Sequence, residues 1–276
     1  MLKDILVHIP SDDRTKSVTN YAVSLARSFG ANLDGLVRIH QSFNPAGGIA
    51  ISGIATAIIT RFDPDPSMAD AIQEQFEDTA KAAGVSYGCK MICRETSLLL
   101  RSATELSQLY GLILVAQPDR SQPSNDDPLA ESLLLGSGRP LLVIPYIDRG
   151  AFAARHIVIC WDGGPAAARA VHDAMPFLCK AAAIHILVVD RDKTTAMNTP
   201  EALKDHLARR GLSADVHHLF SHTSDIHDVI LSFASDVDAD MLVMGGYGHS
   251  RLREQILGGV TRGVLETMTV PVLFSH

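Results

Sequence analysis

Residues 241–261 read Met241-Leu242-Val243-Met244-Gly245-Gly246-Tyr247-Gly248-His249-Ser250-Arg251-Leu252-Arg253-Glu254-Gln255-Ile256-Leu257-Gly258-Gly259-Val260-Thr261. The first four residues form a short apolar run of the kind that makes a buried strand. Glycines at 245, 248 and 258 follow with spacing G-x2-G-x9-G. Gly245 and Gly248 let the backbone turn sharply and come close to a ligand. Gly258 to Thr261 lead into a final helix, whose free N–H groups and dipole make a ready anion site. A strand, a glycine loop and a helix start in that order is the context a phosphate-binding loop requires.

The same chain plan occurs twice. Asp4–Ile9 and His156–Cys160 are β-branched runs that open each copy, and each is followed by a helical segment, Thr15–Phe29 and Pro165–Ala181. Pro165 after Gly163-Gly164 suits a helix start, where the missing N–H costs nothing. Second strands are expected at Asn32–His40 and Ile184–Val189. Helices follow at Met68–Ala83 and Pro200–Arg210, each ending at a glycine in a C-terminal cap position, Gly84 and Gly211. Third strands are expected at Val85–Ile92 and Ala214–Phe220, third helices at Ser97–Leu109 and Ser224–Ser235. Fourth strands are Leu112–Ala116 and Met241–Met244, and the last are Pro140–Ile144 and Pro271–Phe274. Strands alternating with helices imply an α/β fold of two tandem, doubly wound, five-stranded parallel-sheet domains. The expected domains are 1–147 and 153–276. Ligands of such sheets bind beyond the carboxyl ends of the strands, at the topological switch point, so the loops after the first and fourth strands are the places to look.

The glycine loop and its context resemble the universal stress protein family, whose nucleotide-binding members carry G-x2-G-x9-G followed by Ser or Thr after the fourth strand. Thr269-Val270-Pro271-Val272-Leu273-Phe274 is similar to that family's closing strand. The resemblance covers the whole chain as a tandem pair and implies an adenine nucleotide alpha hydrolase-like fold. It also implies site residues. Asp162, beside Trp161 at the end of the first strand of the second copy, matches the acidic residue on the adenine side. Val189 matches the residue lining the base pocket, and Met244 the residue near the ribose. Gly245, Gly248, His249, Gly258, Gly259, Val260 and Thr261 match the phosphate loop. One departure weakens the match: Gly259 stands where the family has Ser or Thr, which removes a hydroxyl. A hydrogen bond to a charged group contributes about 1.5–3 kcal/mol. Backbone N–H groups, Thr261, His249 and Arg251 are the candidates to compensate.

The first copy lacks this equipment. Pro10 takes the place of Asp162, and the fourth strand runs into Ala116-Gln117-Pro118-Asp119-Arg120, without a glycine pair. Gly136-Ser137-Gly138 alone remains near the last strand. The first copy is expected to be a degenerate partner, paired with the second through their last strands as domains of the family often are.

The resemblance implies a stress-response protein that binds ATP, with ADP and AMP as alternatives, in its C-terminal domain. Mg²⁺ would accompany the phosphates rather than sit in a protein cage. No serine–histidine–acid set, Walker lysine or paired carboxylates emerges from the sequence, so the role is expected to be regulatory, with at most slow ATP hydrolysis or autophosphorylation. The alternative is a nucleotide-independent scaffold acting through protein–protein contacts. Fold analogy alone adds a nucleotide-dependent enzyme. An intramolecular domain pair and a homodimer of such pairs are both compatible with the sequence.

The remaining features exclude other classes. A formal charge of −7 and a pI near 5.9 argue against a broad nucleic-acid footprint. The start, Met1-Leu2-Lys3-Asp4-Ile5, has no signal-peptide shape, and no stretch is apolar enough to span a bilayer. Four scattered cysteines, 89, 93, 160 and 179, form no Cys-x-x-Cys pair. A cytoplasmic location is expected. His217, His218, His222 and His227 suggest a metal cluster, but adjacent strand residues face opposite sides, so none is expected. Ser11, Asp12 and Asp13 are expected to cap the first helix. The uncharged insertion 46–60 is expected to cover the interface between copies or to form a flap, with a partner surface as a further option.

Overall fold

The computed structural model describes residues 2–44, 48–51, 54–57, 60–62, 66–118, 128–147, 150–190, 198–220, 225–247 and 259–276. The first half contains β1 (Asp4–Ile9), α1 (Thr15–Phe29), β2 (Asn32–Asn44), β3 (Gly48–Ile51), β4 (Ile54–Ala57), β5 (Thr60–Phe62), α2 (Pro66–Ala82), β6 (Tyr87–Glu95), α3 (Thr96–Ser107), β7 (Leu112–Ala116), α4 (Leu129–Gly136) and β8 (Leu141–Ile144). The second half contains β9 (His156–Cys160), α5 (Pro165–Leu178), β10 (Ala183–Asp190), α6 (Pro200–Ala208), β11 (Asp215–Phe220), α7 (Ile226–Asp236), β12 (Met241–Gly245), α8 (Val260–Thr267) and β13 (Val272–Ser275).

One mostly parallel sheet runs through both halves. Its order is β6-β2-β1-β7-β8 in the first half and β13-β12-β9-β10-β11 in the second. The halves meet at an antiparallel seam, where Val272 faces Val143, Leu273 faces Leu142 and Phe274 faces Leu141. Each central strand is buried on both faces, which is why it reads as an unbroken apolar run. Ile5, Leu6, Val7, Ile9, Leu112–Leu114 and Leu141–Val143 are essentially inaccessible, as are Ile157–Ile159 and Met241–Val243. One apolar cluster lies on each face of the continuous sheet, and both clusters include residues of both halves.

Local signals act as the sequence suggests at several points. Pro165 opens α5 behind Gly164. Gly84 and Gly211 close α2 and α6 with φ of +67° and +75°, a region costly for residues with a Cβ. Others differ. Arg14, not an acidic residue, precedes α1, and no side chain caps that helix. Asp12 instead accepts the Arg14 N–H at 2.9 Å and binds its guanidinium. β2 and β6 run on past the expected ends, with pairing continuing to Gln41 and Glu95. The insertion forms a β3–β4 hairpin, with Ile51 opposite Ile54. β5 then pairs antiparallel with the end of β2, Ser42 opposite Phe62. β2 is separated from the β8–β13 seam by β1 and β7, so β5 docks away from the seam between the copies. Residues 45–47, 52–53 and 58–59 of that region lie outside the described residues.

Candidate functional site

In the second half the strand order reverses between β9 and β12, neighbours that pair Met244 with Cys160. Their carboxyl ends lead to two loops. After β9, Trp161 donates its backbone N–H to Leu187 at 2.8 Å and its indole N–H to the Asn198 carbonyl at 3.0 Å. Asn198 returns a side-chain bond to the Gly163 carbonyl at 3.2 Å. Asp162 accepts the Gly164 N–H at 2.7 Å, and Gly163 takes a φ of +74°. The turn is thus held by its own Asp162, by Leu187 of β10 and by Asn198, and delivers the chain to Pro165.

After β12 the glycines have distinct reasons. A Cβ on Gly245 would lie 2.6 Å from the Ala167 nitrogen and 2.8 Å from the Ala166 carbonyl carbon. Gly245 therefore lets the first turn of α5 press on the strand. A Cβ on Gly246 would lie 2.6 Å from Leu134 Cδ2 of the first half. The Gly246 N–H donates to Ser275 at 2.8 Å, and its carbonyl faces His276 Nδ1 at 3.0 Å. Tyr247 adopts a φ of +50°, and its N–H donates to the Thr261 hydroxyl oxygen at 3.3 Å. Thr261 is buried, so its hydroxyl clasps the two described ends of the loop together. Gly248, His249 and Gly258 lie outside the described residues. Among the described residues, Gly259 precedes α8 without a side-chain cap, and a Cβ there would meet none of them within 4 Å. Met244 is buried, and Val189 is half-buried against the same apolar cluster. Burial, reinforced by the Asp162 carboxylate, pushes the neighbouring Cys160 thiol up to about 12, so it stays protonated and unreactive at neutral pH.

Strand register gives the equivalent positions in the first half. His8 stands for Cys160, Arg38 for Val189, Ala116 for Gly245 and Gln117 for Gly246. His8 and Arg38 are buried, and His8 Nε2 lies 3.1 Å from the Ser107 hydroxyl. The Arg14 guanidinium binds Asp12 and donates to the Gln117 carbonyl at 2.6 Å. His8, Arg38 and Gln117 thus put charged or polar side chains where the second half has Cys160, Val189 and Gly246. None of Arg14, Arg38, Gln117 or Asn198 stood out in the sequence. A charged residue opposite Val189 in the repeat was the available signal for Arg38.

The histidines separate. His217 lies 3.1 Å from His185 Nδ1 and packs on Phe233 with ring centroids 4.8 Å apart. His218 points to Glu201 at 3.5 Å. His222 lies outside the described residues. His227 comes together with Asp225 and Asp228, their ligand atoms within 4.8 Å of one another, the one such group among the described residues. These carboxylates sit at the start of α7, where they complement its dipole. In the first half the strand positions of His185 and His217 hold Asp34 and Lys90, both joined to Tyr110 at 2.5 Å.

Burial and the adjacent His217 depress the His185 pKa, with His156 adding and Asp215 opposing. A base depressed in the fold binds its proton more readily when unfolded, so stability is lost as pH falls from about 6.5 through the folded value. Unfolding midpoints measured between pH 7.5 and 5 should fall over that window. The slope should flatten in His185→Phe, and an unchanged slope would refute the assignment.

Residues 153–276 match the model of the Universal stress protein family. Over 99% of its length the chain is 22% identical to the universal stress protein Slr1230 of Synechocystis, and the match covers 99% of that protein. Among solved structures, a universal stress protein from Archaeoglobus fulgidus DSM 4304 superimposes with a TM-score of 0.70 at 17% identity, covering 99% of this chain and 95% of that one. PA1789 of Pseudomonas aeruginosa PAO1, described as functionally unknown, gives 0.62 at 18%, covering 99% and 92%. The fold is the doubled α/β architecture of these solved structures. Residues 153–276 carry a universal stress protein domain, and the chain as a whole is similar to a universal stress protein along its length. Among the described residues no helix is long and apolar enough to cross a membrane.

Proposed function

We propose that the second half, residues 153–276, binds an adenine nucleotide at the carboxyl edge of β9 and β12 and serves a regulatory role in a stress response, with residues 1–147 as its non-binding partner. The observation that carries this is the start of α8 at Gly259, uncapped and uncrowded among the described residues, on the same sheet edge as the Asp162 turn. Trp161, Asp162 and Val189 take the base side and Met244 the ribose side. Gly245, Gly248, His249, Gly258, Gly259, Val260 and Thr261 form the phosphate side. The N–H groups at the start of α8 and its dipole supply the anion affinity. ATP is the leading ligand, with ADP and AMP as alternatives, and Mg²⁺ would come with the phosphates.

A second reading, a nucleotide-independent scaffold, has its own support. Gly259 carries no hydroxyl, the Thr261 hydroxyl is engaged by Tyr247, and Asp162 is engaged by Gly164.

Calorimetric titration of nucleotide-stripped protein with ATP, ADP and AMP, with and without Mg²⁺, separates the two. One site per chain is expected. Gly259→Ser should fit without strain, since the backbone φ is −53° and no described residue lies within 4 Å of a Cβ there. Its added hydroxyl should tighten ATP binding about tenfold at unchanged stability. Two sites per chain would contradict a silent first half. No binding by either protein would leave the scaffold reading standing.

A further inference from the structure

The two switch points are not independent. Gln117 closes β7 where Gly246 closes β12: its N–H donates to Ile144 at 2.8 Å, as that of Gly246 does to Ser275 at 2.8 Å. Each then meets the opposite half at the same point. Gly246 makes room for Leu134 of α4. The Gln117 amide donates to the Leu265 carbonyl of α8 at 2.9 Å. Leu134 and Leu265 are themselves equivalent, each seven residues ahead of the strand that follows it, at Leu141 and Val272.

The two contacts differ in kind. Leu134 makes an apolar stop against a glycine, while Gln117 makes a polar clasp on a helix end. Leu265 lies in the last turn of α8, where carbonyls have no partner within the helix, and Gln117 supplies one. Gln117 is fully buried, and its Oε1 accepts the Tyr146 N–H at 3.0 Å. Its own carbonyl accepts from Arg14 at 2.6 Å. Every polar group of its side chain and backbone is thus committed. The start of α8 lies about 7.5 Å from Leu265 at the rise of a helix. Clasping the end of so short a helix fixes where its N–H groups point.

We propose that Gln117 is a positioning residue for the nucleotide site of the other half, so that the first half sets the affinity of the second. This rests on the nucleotide reading given above. Occupancy of the site and tightness of the clasp are then linked in both directions. ATP should slow amide exchange in residues 141–147, where the Tyr146 N–H serves as the reporter, although these residues belong to the non-binding half.

The test combines calorimetry with hydrogen exchange on the full chain, at a temperature where each protein is folded. Wild type should bind ATP and show slower exchange at 141–147 when bound. Gln117→Met, of similar volume but without the amide, should bind about fivefold more weakly and lose that ATP-dependent slowing. A merely structural glutamine would lower the unfolding temperature and leave both readouts unchanged, which would overturn the proposal. Should Gln117→Met fail to fold, the wild-type exchange decides alone, since ATP binding without slowing at 141–147 also overturns it. Absence of ATP binding by wild type would instead defeat the nucleotide reading itself.

Discussion

Gly245→Ala is expected to cost about 3 kcal/mol of stability, the upper part of the usual range for overpacking. The new methyl would meet backbone rather than side chain: Ala167 N at 2.6 Å and the Ala166 carbonyl carbon at 2.8 Å. Backbone at the start of a helix cannot rotate aside as a side chain can. Relief would require α5 to move off β12, and the Asp162 turn that feeds α5 would move with it. Denaturant unfolding should show a lowered midpoint, and nucleotide affinity should fall alongside. Gly259→Ala is the control, because its methyl meets none of the described residues within 4 Å. Equal midpoints for Gly245→Ala and wild type would show that α5 does not press on the strand as described.

Phe177→Ala is expected to cost about 4 kcal/mol, in the range for a buried phenylalanine. Phe177 of α5 is 1% exposed. Its ring centroid lies 5.2 Å from that of Phe29 on α1 and 5.9 Å from that of Phe152 between the halves. Tyr21 of α1 packs edge-on against Phe152 at 5.8 Å. The cluster therefore holds the first helix of each half and the segment joining them. Its loss should be felt by both halves at once. The single tryptophan, Trp161, reports on the second half, while circular dichroism reports on both. Both signals should shift together in denaturant. Phe220→Ala, at a side chain 59% exposed, should change the midpoint little. A loss below 1 kcal/mol for Phe177→Ala would mean that the aromatic cluster does not join the halves.

The repeat and its strands were legible because burial on both faces leaves a plain apolar signature. Leu112–Ala116 and His156–Cys160 form strands over the expected spans. Helix ends at Gly84 and Gly211 were legible for a local reason, the left-handed backbone. The extension of β2 was not. Gln41-Ser42-Phe43-Asn44 has no alternation to mark a strand, and it is ordered by pairing with β5 and β6, which no local pattern announces. Asp12 shows a similar limit: an acidic residue before a helix suggests a cap, yet the nearby Arg14 side chain engages it.

In the candidate site the glycine spacing was legible, but the causes behind it were not. Gly245 answers to α5, Gly246 to a leucine of the other half, and Gly259 to a helix start that no other described residue crowds. One residue type carries three different physical reasons, distinguishable only when neighbours are known. Gln117 and Arg14 are separated by 103 residues and Gln117 and Leu265 by 148. Such pairings are properties of the assembled sheet rather than of any stretch of sequence.

The antiparallel seam also has a consequence for synthesis. β8 gains its second neighbour from β13, the last strand of the chain. At about 5–20 residues per second, the roughly 130 residues between them take on the order of ten seconds to translate. Through that interval the Leu141–Ile144 edge of a nascent first half offers unsatisfied main-chain groups to any similar strand nearby. Neighbouring nascent chains on one message carry that same strand, so the late arrival of β13 sets a race between closure within one molecule and exchange between two.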